Sequence, residues 1–163
     1  MAEALAVVGI VANIVQLVGF SSKILHRLNE FQASLGETPR SFCVVKSELP
    51  LLQHTLEQTR EAINAGLIRA ETKPALLPAV EGCQEQIKLL DSILEKTLPT
   101  SDDSWGKKGR KAILSLHHDA KVESITKILR SYIGILTFYY AAASSTLQPL
   151  TGIVFLATGV ILC

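Results

Sequence analysis

This chain of 163 residues is poor in the features that mark secreted scaffolds, nucleic-acid binders and common enzymes. It has three cysteines, Cys43, Cys83 and Cys163, an odd number at wide spacing. That pattern makes no disulfide framework and predicts reduced thiols in the cytoplasm. No Asn-x-Ser/Thr acceptor occurs, which agrees with such a placement. Neither sign of charge dominates: 16 Lys and Arg stand against 15 Asp and Glu, for a net charge of +1. No overall field steers the chain to nucleic acid, and no nucleic-acid partner is expected. Apolar and polar residues nowhere alternate over a useful length, so the two-residue period of a half-buried strand is missing.

Catalytic signatures are missing as well. There is no G-x-S-x-G elbow and no H-E-x-x-H pair. His26 and His54 are isolated, and the adjacent His117 and His118 would point about 100° apart on a helix rather than converge on one ion. Cys43 and Cys83 stand on separate helices among apolar neighbours, where small core cysteines are common. No catalytic residue, no metal site and no cofactor is expected, and the chain reads as something other than an enzyme.

What is abundant is helix-forming apolar sequence: 48% of residues are hydrophobic and 19% charged, enough for a sizeable core in one domain. Helix one is predicted over residues 4–30. Thr38 suits the N-cap of helix two and Pro39 its first helical position. Phe42, Val45, Leu49, Leu52, Leu56 and Ile63 then form a 3-4 seam, with Thr59 filling one step. Pro50 is predicted to kink that helix, because it lacks an N–H and crowds the preceding turn. Helix three is predicted over residues 73–98 on a seam of Leu76, Val80, Cys83, Ile87, Leu90 and Leu94, with Gly82 as an interruption that a close helix crossing would explain. After the loop at 98–109 come a short helix at 110–116 and a long one at 120–145, stepping through Val122, Ile125, Leu129, Tyr132, Leu136 and Tyr139. The expected fold is all-α: an up-and-down bundle of four long helices plus one short helix, with helix one largely buried. The bundle is assigned residues 1–147, and residues 148–163 form an apolar C-terminal tail; LTGIVFLATGVILC (150–163) has no charge.

The stretch ALAVVGIVANIVQLVGF (4–20) admits three readings. As a signal peptide it lacks a positive n-region, since Glu3 is the one charge before Lys23. As a membrane span its 17 residues reach about 26 Å against a hydrocarbon core of about 30 Å, with Asn13 and Gln16 near the middle. As a bundle helix it places Gly9, Ala12, Asn13, Gln16, Lys23, Arg27 and Glu30 on one polar wedge, a solvated edge, and packs the rest. The third reading is preferred for the resting state. Release of the helix and joint insertion of several copies, with Asn13 and Gln16 lining a shared lumen, is compatible with it. Leu5, Val8, Ile10, Val11, Asn13, Ile14, Gln16, Leu17 and Phe20 are the candidate effector residues.

Two further clusters qualify as candidates. GKKGRK (106–111) supplies a basic surface of Lys107, Lys108, Arg110 and Lys111 beside Trp105, suited to anionic headgroups or simply to a solvated loop. SYIGILTFYYAAAS (131–144) gathers Tyr132, Phe138, Tyr139 and Tyr140, which with Trp105 are candidate interaction aromatics or ordinary core.

MAEALAVVGIVANIVQLVGFSSKIL, followed in order by SELPLLQHTL, VEGCQEQIKLLDSIL and SWGKKGRKAILSLHHDAKVESITKILRSYIGILTFYYAAAS, resembles the N-terminal domains of fungal NLR-like (STAND) proteins. These are the SesA or NACHT-N family, related in plan to HeLo and HeLo-like domains, and the resemblance covers residues 1–147. It implies a non-enzymatic signalling or effector domain in regulated cell death or heterokaryon incompatibility. In HeLo-type relatives the N-terminal helix attacks membranes after oligomerisation; the alternative is an adaptor that oligomerises or packs against a partner bundle. The implied partners are a NACHT or NB-ARC module in cis or in trans, further copies of the chain, and an anionic membrane on activation. The implied location is the cytoplasm, shifting to the plasma membrane on activation. The sequence departs from the receptor pattern by containing no G-x-x-x-x-G-K-[ST] loop, and its tail matches nothing in the family.

Overall fold

Sustained 3-4 spacing gives each helical segment one apolar stripe, and four such stripes can be covered only by each other. The computed structural model describes residues 2–35, 39–69, 71–98 and 118–145, with side chains at 7–33, 39–69, 71–98 and 118–144. Among these residues lie four helices: α1 (Ala2–Leu35), α2 (Arg40–Asn64), α3 (Lys73–Thr97) and α4 (Asp119–Ser145). The described residues form no strand. The expected short helix at 110–116, the Thr38 cap and the tail at 148–163 lie outside the described residues.

The seams pack as the spacing predicts. Phe42, Leu49, Leu52 and Leu56 of α2, Leu76, Ile87 and Leu90 of α3, and Val122, Leu129 and Leu136 of α4 are all buried in one core. Each such side chain contributes roughly 1.5–3 kcal/mol when fully buried. The buried threonines are satisfied locally: Thr55, Thr59, Thr97 and Thr126 each donate a hydroxyl to the carbonyl four residues back, at 2.7–2.9 Å, whereas the buried hydroxyls of Ser21 and Ser41 have no partner among the described residues. Burial pushes the Cys83 thiol up to about 12, so it is an inert core residue.

Local chemistry explains the helix ends. Pro39 is the N-cap of α2 rather than its first helical residue, because its ψ of 143° is extended; its carbonyl accepts from Phe42 N–H at 3.0 Å and Cys43 N–H at 3.1 Å. The helix continues through Pro50, which is exposed. It stops in a Schellman motif: Gly66 takes φ +70°, and the N–H of Leu67 reaches the carbonyl of Ala62 at 2.9 Å. Gly82 has a reason that spacing alone does not reveal. A Cβ there would run into the Tyr132 ring, so the glycine lets α4 approach α3.

Ring order is the one surprise of the architecture. α1 packs on α2 and α3, and α4 packs on α2 and α3, so α1 and α4 face each other across a diagonal. Gln16 meets Gln84, Lys23 meets Asp91 and Arg27 meets Asp91, pairs that climb together, so α1 and α3 are parallel. Glu48 meets Arg130 and the α2 start lies beside the α4 start, so α2 and α4 are parallel too. The direction of travel still alternates along the chain. The α2–α3 connection, however, crosses the bundle instead of joining neighbours.

Candidate functional site

The first helix is the natural focus, since it is the most apolar element. Its residues from Val7 to Ala33 are long and apolar enough to cross a membrane by length and composition, with a mean hydropathy of 1.6 over the best window. Yet 28% of that window is buried. Ile10, Ile14, Leu17, Ser21, Ile24 and Leu28 form the inner face, spaced four, three, four, three and four, and are fully buried. Val7, Val11, Val18, Leu25 and Phe31 flank that face and are half-buried. The expectation of a largely buried helix therefore holds for one face, and α1 is a corner helix rather than an internal column.

The opposite face is open. Val8 is 66% exposed and Val15 50%, with Ala12 and Gly19 exposed on the same face, while Phe20, 37% exposed, lies on the flank about 120° from Val8. Val8, Ala12, Val15 and Gly19 follow one another by four, three and four residues, which is a second seam. A Cβ added at Gly9 or Gly19 would meet nothing within 4 Å, so no contact inside this bundle requires either glycine. From Ser22 onward the outer face turns polar, through Ser22, Lys23, His26, Asn29 and Glu30.

The polar wedge is a solvated edge, with Gly9, Ala12, Gln16, Lys23 and Glu30 exposed, and it is also tied to its neighbours. Gln16 hydrogen-bonds Gln84 at 3.3 Å, and the Asp91 carboxylate accepts from Lys23 at 3.2 Å and Arg27 at 2.8 Å. On the other flank Gln53 of α2 donates to the Val18 carbonyl at 3.2 Å and to Ser22 Oγ at 2.7 Å. These ties clamp α1 to both neighbours. Asp91 holds two cations of α1 and is absent from the residues chosen on sequence grounds; a lone carboxylate on another helix carries no spacing signal.

The candidate effector residues thus divide. Ile10, Ile14 and Leu17 are core, Val11 and Asn13 are half-buried, and Val8, Gln16 and Phe20 are exposed. The side chain of Leu5 lies outside the described residues. Val15 belongs to the open face and was not among those candidates, although its spacing from Val8 and Ala12 is readable in the sequence.

The basic surface, Lys107, Lys108, Arg110 and Lys111, lies outside the described residues, as does Trp105. The four aromatics of α4 do not act as one group. Tyr132 lies against Gly82, Tyr140 is half-buried, and Phe138 and Tyr139 pack edge to face at 5.8 Å. Phe138 is 68% exposed, and with Tyr139, Ala142, Ala143, Leu67 and Ile68 it lines an apolar cavity of about 310 Å³ that also contacts Arg69 and Thr72. The described residues contain no group of three or more His, Cys, Asp or Glu able to hold a metal ion.

A family model described as SesA, the N-terminal domain on NACHT NTPases and P-loop NTPases, matches residues 11–136. No curated protein and no solved structure matches the chain.

Proposed function

Because the chain belongs to the SesA family of N-terminal domains on NACHT and P-loop NTPases, we propose that it is a non-enzymatic effector domain whose first helix acts on membranes. In this reading a NACHT-type module, in cis or in trans, controls the domain from the cytoplasm. Activation brings several copies together at the plasma membrane, and the output is regulated cell death of the incompatibility type.

The observation that supports it is the bare apolar face of α1, Val8 and Val15, on the helix whose composition suits a bilayer. Such a face can touch the acyl boundary before the helix leaves the bundle. Full insertion then requires breaking the Asp91 clamp and withdrawing Ile10, Ile14 and Leu17 from the core. Deep burial of one face and exposure of the other make a two-step entry: surface docking, then release. Asn13 and Gln16 would meet their counterparts in neighbouring copies, which relieves the cost of a lone polar group in lipid.

The test is dye release from anionic vesicles. The wild-type chain is expected to release dye, and a Val8→Ser/Val15→Ser variant to fold normally and lose most of that release. No release by the wild-type chain would end the membrane reading, and full release by the folded double variant would remove the outer face of α1 from it. A second reading, an adaptor that packs against a partner bundle, draws on the exposed Phe138 and its adjoining apolar cavity. It would be favoured if Phe138→Ser abolished partner capture while the vesicles stayed intact with wild-type protein.

A further inference from the structure

We propose that the cleft between the N-termini of α2 and α4 binds a protonated phosphate-type anion, free or as a phosphomonoester. The cleft is independent of the outer face of α1 and of the function proposed for it. Since α2 and α4 run parallel, the positive ends of both helices lie side by side at one end of the bundle. Between them opens a cleft of about 420 Å³, lined on the α2 side by Arg40 and Ser41 and on the α4 side by Asp119, Glu123, Lys127 and Arg130.

Three observations in the cleft leave hydrogen-bonding capacity unused. First, α2 begins without a side-chain cap and without an acid in its first turn. The Pro39 carbonyl takes the N–H groups of Phe42 and Cys43, so those of Arg40 and Ser41 have no acceptor among the described residues. Second, the cations are unequally committed. Lys127 pairs with Glu123 at 3.2 Å and Arg130 with Glu48, while Arg40 makes no ion pair among the described residues. Third, two buried polar atoms have no partner: Ser41 Oγ, in a side chain 8% exposed, and Asp119 Oδ1. An unpaired buried polar atom is costly, and each one calls for a partner.

The chemistry selects the ligand. Arg40, two backbone N–H groups and the Ser41 hydroxyl offer donors, which suits an oxyanion at a helix start. Asp119 Oδ1 offers an acceptor and would repel a bare oxyanion such as sulfate. A phosphate that keeps one proton satisfies both sides: its O–H donates to Asp119, and its unprotonated oxygens accept from the rest.

Amide chemical shifts of the full chain would be followed by NMR at pH about 6, where half of a phosphomonoester is singly protonated. Inorganic phosphate is expected to move the Arg40, Ser41 and Asp119 amides saturably, and sulfate to bind about tenfold more weakly or worse. Arg40→Gln, an exposed change that leaves the core intact, is expected to weaken phosphate about tenfold. Asp119→Asn replaces an acceptor by a donor and is expected to erase the preference for phosphate over sulfate. Vesicles of phosphatidylcholine with and without phosphatidic acid distinguish the sources. Retention on the phosphatidic acid vesicles that depends on Arg40 assigns the site to a lipid headgroup; its absence, with phosphate shifts intact, assigns it to a soluble anion. No saturable shift with phosphate would overturn the proposal. So would phosphate affinity unmoved by Arg40→Gln together with selectivity unmoved by Asp119→Asn.

Discussion

The two sides of α1 are built from the same kinds of residue and live in opposite surroundings. Ile10, Ile14 and Leu17 face inward and have no accessible surface to speak of, while Val8 and Val15, two and one positions away, stand half or more in solvent. A helix at one corner of a four-membered ring touches two neighbours, and those cover one side of it. Any apolar residue beyond that side is left over, whatever its hydropathy. Apolarity therefore measures the material available for burial, and the neighbours determine which part is used. On α2 and α3 supply and demand nearly match; on the first turns of α1 supply exceeds demand, and the excess is a surface that water covers poorly.

The largest effect should come from the inner face. Leu17→Ala is expected to cost about 2–5 kcal/mol in urea unfolding, the range for a leucine cavity in a packed core. A smaller cost would mean that α1 is held loosely, and the two faces would differ less than their exposures suggest. Asp91→Asn probes the clamp between them. Asp91 and Arg27 are 18% and 20% exposed, so removing the charge is expected to cost about 1–2 kcal/mol and to accelerate dye release, because α1 separates more readily from α3. Unchanged stability would place the hold on α1 in its apolar contacts alone. Val15→Ser should be the mildest, within about 0.5 kcal/mol of wild type. If it matched Leu17→Ala at high protein concentration and not at low, the outer face would be covered in solution by a second copy.

Much of this was legible beforehand. The helices start and stop within a few residues of where capping residues and apolar spacing put them; α1 is longer at its C-terminal end than predicted, since Phe31 continues its packed side. Every aliphatic seam position read from α2, α3 and α4 is buried, because a helical period reports which residues share a face. The candidate sites were less legible. Composition groups Val8 with Ile10, Ile14 and Leu17 as effector residues, although Val8 lies on the opposite side of the helix. Ser41 and Asp119 carried no motif at all. They belong to different helices, 78 positions apart, and share a cleft because α2 and α4 happen to be parallel neighbours.

Sequence alone determined the helical class, the approximate extents of α2, α3 and α4 and the composition of their seams, because backbone hydrogen bonding, capping and a 3.6-residue period act over a few neighbouring residues. Tertiary structure alone decided the ring order of the bundle, the side of α1 left bare, the Gly82–Tyr132 crossing and the meeting of two helix starts around Ser41. Those depend on which stripes lie against which, a matter of shape and total burial among distant segments that no local period encodes.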